Sequence, residues 1–276
     1  IQRYEHHIKK HIGHKNVNEI TKFDIEQILK HMISKGLKPG TVDRIRQTIS
    51  AIFNIGIYHE KCKENPASIS RNDKVSIMRR NKKNINNDRE RYISKSEAEQ
   101  MLHELRLRDE TVYLMALMAL TTGARAGEIL SIKFKDIDYY SGFITLDNTK
   151  NGYSRKIKMT PEVHKLIEAR HQDKANQYLF KTKNNTKLDK IPQTYFTVVE
   201  KLFNKDLETS DSKNRVVFHT LRHTFASWLA LDGVPIFTIQ KLMGHKDINM
   251  TMRYAKLSPD AGVEAVMNIE RSLVGG

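Results

Sequence analysis

The chain has 276 residues with 39% hydrophobic content, enough to bury one or two cores, and two domains is the expected division at this length. Its 47 Lys and Arg against 32 Asp and Glu give a formal net charge of +15, an excess that favours a polyanionic partner over a merely soluble basic protein. The single cysteine, Cys62, excludes an intramolecular disulfide, and the longest apolar run, from Val112 to Leu120, falls well short of the roughly twenty residues that cross a bilayer. Basic residues exceed acidic ones both before and after residue 90, so both parts of the chain are candidates for contact with phosphate. Cys62 reads as a packing residue, and its isolation suits a reducing cytosol. No signal peptide pattern is present, and the start at Ile1 without an initiator Met leaves room for an upstream segment.

The first 70 residues read as helices joined by short turns. Thr21-Lys22-Phe23-Asp24 is a capping box variant ahead of Ile25, Ile28, Leu29, Met32 and Ile33, which mark one apolar face, and Gly36 closes that helix. A second helix follows Pro39-Gly40, capped by Thr41 and carrying Val42, Ile45, Ile49, Ile52, Phe53 and Ile57, and Asn65-Pro66-Ala67 ends the bundle. From Arg79 to Arg91 the run RRNKKNINNDRER has almost no apolar residue and reads as a linker. Ser94 or Ser96 then caps a helix with Glu97 and Glu99 in its first turn, and the apolar helix from Val112 to Leu120 stops at Gly123. Phe143 to Leu146 and Lys156 to Met159 read as strands of a hairpin turned by Asn151-Gly152. Helical patterns follow around Val163, Leu166 and Ile167, then around Phe196, Val199 and Leu202, and the remainder is helical until the tail.

The richest chemical pattern lies between His219 and Tyr254. His219-Thr220-Leu221-Arg222-His223 puts His219 and Arg222 three residues apart, on one face of a helix. Leu242-Met243-Gly244-His245 and Arg253-Tyr254 follow in the next two helical patterns. A fork-shaped cation, two imidazoles and a phenol can serve one reaction. A metal reading competes, because His219 and His223 are four apart, but Thr220 stands where a zincin carries Glu and no carboxylate or Cys lies close in sequence. His223 is expected to pack or hydrogen-bond structurally beside Trp228. Bland readings stand beside the others: Arg125 paired with Glu128 across one helical turn, Arg222 on the surface, Tyr254 an ordinary tyrosine.

With Arg125 in Thr121-Thr122-Gly123-Ala124-Arg125-Ala126-Gly127-Glu128, the set resembles the tyrosine recombinase (phage integrase, Xer-like) family over nearly the whole chain. The nine-residue step from His245 to Tyr254 looks like that family's signature. The resemblance implies cleavage of duplex DNA through a 3′-phosphotyrosyl intermediate, with Arg125, Lys150, His219, Arg222, His245 and Tyr254 catalytic and Glu128 supporting them. Arg125 and Arg222 would clamp the scissile phosphate, since a guanidinium gives bidentate hydrogen bonds and keeps its charge. Tyr254 would be the nucleophile, its phenolate favoured by nearby cations. His219 and His245 would bond a phosphate oxygen and exchange protons with the tyrosine. Lys150, at the hairpin tip, would protonate the leaving 5′ oxygen, with Arg155, Lys156 and Lys158 on the returning strand as rivals. Neither metal nor other cofactor enters this chemistry, and His6, His7, His11 and His14 read as the polar face of a short DNA-facing helix rather than as metal ligands.

The implied fold is mainly α with a small antiparallel β-sheet. Residues 1–78 would form a helical, SAM-like core-binding domain, 79–91 a basic linker, and 92–276 an α+β catalytic domain with a tail at 255–276. The two domains would close as a C-shaped clamp on DNA. The expected partners are double-stranded DNA with an inverted-repeat site, further copies of the chain up to a tetramer in the synapse, and accessory DNA-bending or directionality factors, with no membrane. The expected compartment is the cytoplasm, in the bacterial cytosol or nucleoid. Integration and excision of a mobile element is the preferred role. Xer-type chromosome dimer resolution, a type IB topoisomerase and a catalytically silent DNA-binding protein are the alternatives. In the tail, Val263, Val266, Met267 and Ile269 fall at helical spacing, on a face that docks on a neighbour or on its own domain.

Overall fold

The computed structural model describes residues 2–69, 91–148, 153–170, 175–208, 211–259, 266–267, 270 and 272–273. The chain divides into two compact units, Ile1–Asp88 and Arg89–Gly276.

The first unit is helical: α1 (Gln2–His7), α2 (Lys9–Ile12), α3 (Lys22–Ser34) and α4 (Pro39–Tyr58). The Thr21 hydroxyl accepts from the Asp24 N–H while the Asp24 carboxylate accepts from the Thr21 N–H, so the capping box read from sequence starts α3. The cap of α4 differs from expectation. Lys38 is its N-cap and Pro39 its first residue, because the proline ring already holds a helical φ and has no N–H to leave unpaired; Thr41 lies inside the first turn. Ile25, Ile28, Leu29 and Met32 of α3 bury against Val42, Ile45, Ile49 and Phe53 of α4, joined by Ile8, Ile12 and Cys62. Asn65 ends the bundle by donating back to the Ser50 carbonyl and the Asn54 side chain of α4. The early histidines do not share one outward face: His6 and His14 are exposed, but His11 turns toward His31 on α3, with ring centroids 5.1 Å apart. The basic run up to residue 90 lies outside the described residues, and Arg91 is already anchored, bidentate on Glu97 and bonded to the Tyr92 carbonyl.

In the second unit Ser94, not Ser96, caps α5 (Lys95–Arg108) in a capping box with Glu97. Asp109 then caps α6 (Glu110–Thr122). Nine of its residues, among them Val112, Leu114, Met115, Met118 and Leu120, are buried, so the apolar run is a core helix, and it stops where Gly123 takes φ +64°. After the short α7 (Ala126–Ile129) comes an antiparallel sheet in the order β1 (Ile137–Asp138), β2 (Phe143–Asn148), β3 (Tyr153–Lys158). The two-residue β1 is too short to show alternation in sequence and was not expected. Lys150 and the Asn151-Gly152 turn lie outside the described residues. Ile144 pairs with Ile157 and Leu146 with Arg155, which puts Arg155 on the inward face of the hairpin and Lys156 and Lys158 on the outward one. Next come α8 (Pro161–Glu168), α9 (Gln193–Val199), α10 (Phe218–Leu231), α11 (Ile236–Met243) and α12 (Asn249–Met252).

The architecture is mainly helical with one small antiparallel sheet, and α6 packs against both α5 and α10. Among the described tail residues, Val266 and Met267 are helical and exposed, while Val263 and Ile269 fall outside the described residues. No helix among the described residues is long and apolar enough to cross a membrane.

Candidate active site

The site grows from helix ends. Gly123 closes α6 in the left-handed region, and the chain then runs extended through Arg125, which is the N-cap of α7. Glu128, in the first turn of α7, accepts from the Arg125 N–H at 2.7 Å and from its Nη1 at 2.9 Å. The bland pairing foreseen for Arg125 is therefore real, yet about a third of its side chain stays exposed and available to a ligand. From the inward face of β3, Arg155 reaches the same carboxylate with two parallel bonds of 2.9 Å. Burial opposes charge on Glu128, but the hydrogen bonds from Arg155 and from the Arg125 N–H outweigh it and hold the carboxyl down at about 2.

Arg222 projects from α10 and is only 2% exposed, not on the surface. Its guanidinium donates to the Gly123 carbonyl and, at 2.5 Å, to the Met243 carbonyl. It thereby ties together the last turns of α6 and α11, whose orphan carbonyls need donors. Burial, then Arg125 and Arg155, lower it to about 9, high enough to stay charged at neutral pH.

Gly244 ends α11 at φ +63°, and the next N–H, that of His245, bonds back to the Gln240 carbonyl, the Schellman pattern. A Cβ on Gly244 would meet Arg155 Cδ and Nη1 at 3.0 Å, so this turn lies directly on the Arg155 side chain. His245 Nδ1 is hydrogen-bonded to Thr251 Oγ1 at 2.9 Å. Burial first, then Arg222, Arg125 and Arg155, push its titration down to about 3. His245 is thus neutral at pH 7, which corrects the expectation of an imidazole poised near neutrality: the surrounding guanidiniums, Arg253 included, leave no place for a further positive charge.

Tyr254 is 4% exposed and packs with Ala226, Ala230, Ile239 and Met243. Burial raises it to about 12, and Arg253 and Arg222 offset only part of that rise. The expected phenolate is not the resting form, because desolvation outweighs the cations. Its hydroxyl lies 2.6 Å from Nδ1 of His223. The hydrogen bond expected of His223 is thus made to Tyr254, and the Trp228 indole N–H donates to the Ile93 carbonyl. His219, exposed on the same face of α10, meets His223 edge to face with centroids 4.7 Å apart.

The fold therefore gathers Arg125, Glu128, Arg222, His245 and Tyr254, with His219 at the margin beside His223. Sequence reasoning missed two members. Arg155 appeared only as a rival to Lys150, although the period-two pattern with Ile157 already places it inward; Lys158 faces out and donates to the Ser141 carbonyl. His223, one turn beyond His219, carried a weaker signal. Among the described residues no group of three His, Cys, Asp or Glu is placed to hold a metal ion.

A small sheet among helices, with arginines and histidines set around a buried tyrosine, is the arrangement that defines the tyrosine recombinases. Residues 91–260 match the phage integrase family and residues 1–73 the phage integrase central domain, so the chain belongs to the phage integrase family. It is 36% identical over 148 residues to tyrosine recombinase XerA of Saccharolobus solfataricus, covering 53% of this chain and 46% of that protein. It is 26% identical over 255 residues to the shufflon-specific DNA recombinase of Escherichia coli, covering 89% of this chain and 60% of that protein. The chain thus spans about half the length of these curated relatives. Its fold is similar to that of the Tn1549 transposon integrase solved with transposon right end DNA, with a TM-score of 0.70, 21% identity, and coverage of 99% of this chain and 92% of that one.

Proposed function

We propose that this chain is a site-specific DNA recombinase that cleaves and rejoins duplex DNA through a 3′-phosphotyrosyl intermediate, acting in integration and excision of a mobile element. The observation that carries this reading is one pocket holding three guanidiniums from three separate elements, Arg125, Arg155 and Arg222, with the buried Tyr254 beside Arg222 and Arg253. Such a pocket suits one anionic group whose charge grows in the transition state, and a phosphodiester under attack is that group.

In this mechanism Arg125 and the N–H groups that Arg222 has left after binding two carbonyls grip the non-bridging oxygens. Neutral His245 donates a further hydrogen bond from Nε2 while Thr251 fixes the ring through Nδ1. The Tyr254 oxygen attacks phosphorus, the bond to the 5′ oxygen breaks, and Lys150 protonates that oxygen. A 5′ hydroxyl then reverses the step. The phosphotyrosyl bond keeps the phosphodiester energy, so no ATP is consumed.

Duplex DNA as partner is supported by the net charge of +15 and by the DNA bound to the Tn1549 integrase. Residues 1–78 would be the core-binding domain and 79–91 a linker, with copies of the chain assembling as a tetramer on inverted repeats. The likeness to XerA supports a second role, chromosome dimer resolution. The test is a nicked suicide duplex carrying the recombination site, resolved on a denaturing gel. Wild-type protein should form a covalent adduct, and Tyr254→Phe should bind the duplex without one. An adduct at wild-type yield from the Phe variant would overturn the assignment.

A further inference from the structure

The hydrogen bond of 2.6 Å between Tyr254 and His223 Nδ1 reaches the one atom on which the reaction depends. We propose that His223 is the base that takes the Tyr254 proton as the phenol attacks phosphorus and returns it when the strand is rejoined. This rests on the recombinase reading above and adds a catalytic residue to it.

Three observations carry the assignment. Tyr254 is 4% exposed, so bulk water is not at hand to receive its proton. A phenol raised to about 12 holds that proton at neutral pH, so transfer must accompany attack and requires a base already in contact. The other half-buried imidazole of the site is unsuited, since Thr251 occupies His245 Nδ1 and the arginines around it penalise an imidazolium. His219 meets the ring of His223 at 4.7 Å and backs it up rather than replacing it. His219 on its own helix and Tyr254 on the segment after α12 both face His223, and neither is a competing cation when neutral.

The step balances. The step requires neutral His223 with its proton on Nε2, so that Nδ1 accepts the phenolic proton. The bond from the tyrosyl oxygen to phosphorus forms, the bond from phosphorus to the 5′ oxygen breaks, and the leaving oxygen takes a proton from Lys150. In rejoining, the 5′ hydroxyl attacks, its proton goes back to Lys150, and the imidazolium of His223 reprotonates the departing tyrosyl oxygen.

The test uses the full chain and the suicide duplex, with single-turnover adduct formation followed from pH 5.5 to 9. His223→Asn keeps an acceptor near the Nδ1 position but cannot take a proton. It should bind a half-site as the wild type does and form adduct about 100-fold more slowly at pH 7, with a rate still climbing at pH values where the wild type has levelled off. His223→Gly, which opens space beside Tyr254, should be accelerated by added imidazole. Adduct formation by the Asn variant within a few-fold of wild type overturns the proposal. So do a slow rate that parallels the wild-type profile and no response of the Gly variant to imidazole, which together would make His223 a positioning group. If wild-type protein gives no adduct that Tyr254→Phe abolishes, the recombinase reading fails and this inference falls with it. If that adduct is normal and the Asn variant is as fast, only the role of His223 is lost.

Discussion

Glu128 and Arg155, 27 positions apart in sequence, are joined by two parallel hydrogen bonds of 2.9 Å in which the side chains are only 8% and 15% exposed. Because Arg125 shares the same carboxylate, one acid sets the position of two cations, and it links the start of α7 to strand β3.

That pair makes stability pH-dependent in a defined window. Glu128 titrates at about 2 in the folded chain against an ordinary 4.5, so its contribution is complete above about pH 4.5 and is lost as pH falls toward 2. The shift corresponds to about 3 kcal/mol. Glu128→Gln should therefore cost about that much at pH 7 and progressively less in acid. Urea unfolding at pH 7 and pH 3 measures the gap between the two proteins, and a gap that does not change with pH would contradict the pairing.

His245 acts in a different window and with the opposite consequence for its substitution. Its folded form resists protonation down to about 3 while the unfolded chain accepts a proton near 6.5, so the wild type loses stability as pH falls between those values. His245→Gln has no proton to take up. It should unfold at lower pH than the wild type in acid titrations followed by circular dichroism. Coincident acid transitions would mean that the imidazole is more hydrated than its neighbours imply.

How much of this was legible in the sequence depends on the distance over which each contact is made. The Thr21 capping box, the stop at Gly123 and the buried α6 are local and could be read directly, whereas the next cap was narrowed only to Ser94 or Ser96. The Gly244-His245 pair could be read too, since a left-handed cap and the residue after it are a sequence-level unit. Arg155 needed the hairpin register, which turns on one residue: a slip by one would have aimed Lys156 at Glu128. The contact of His223 with Tyr254 needed α11 and α12 to fold back over 31 residues, and no periodicity reports that path. The protonation of Tyr254 was misjudged for the same reason. Nearby cations are visible in sequence, whereas the burial that outweighs them is a property of the assembled core.

Gly123 makes a separate prediction because two constraints meet there. Its φ is +64°, and an added Cβ would lie 2.5 Å from Phe225 Cδ1 and 2.9 Å from Met243 Sδ. A left-handed alanine costs about 1–2 kcal/mol, and an overpacked contact about 1–3 kcal/mol. Gly123→Ala should lower stability by about 3 kcal/mol in denaturant unfolding and displace the carbonyl that Arg222 holds, so adduct formation should fall as well. Unchanged stability would show that Phe225 and Met243 yield easily.

Arg222 is the sharper probe, because its fork joins two helix ends while keeping its remaining N–H groups for a ligand. A lysine supplies one point charge on a flexible stem and cannot satisfy the Gly123 and Met243 carbonyls in the same plane. One buried carbonyl left without a donor costs about 1–3 kcal/mol, so Arg222→Lys should be destabilised by that amount. Its effect on reaction should be larger than its effect on binding. Affinity for a half-site draws on many basic residues and should change by a few-fold at fixed salt, a condition that matters because phosphate contacts are strongly salt-dependent. Adduct formation draws on this one guanidinium and should fall by about 100-fold or more, the loss seen when a single charge-stabilising donor is removed. Gel shifts beside single-turnover cleavage, both at one ionic strength, separate the two. Equal losses in binding and cleavage would mean that Arg222 only braces α6 against α11 and that Arg125 and Arg155 meet the phosphate without it.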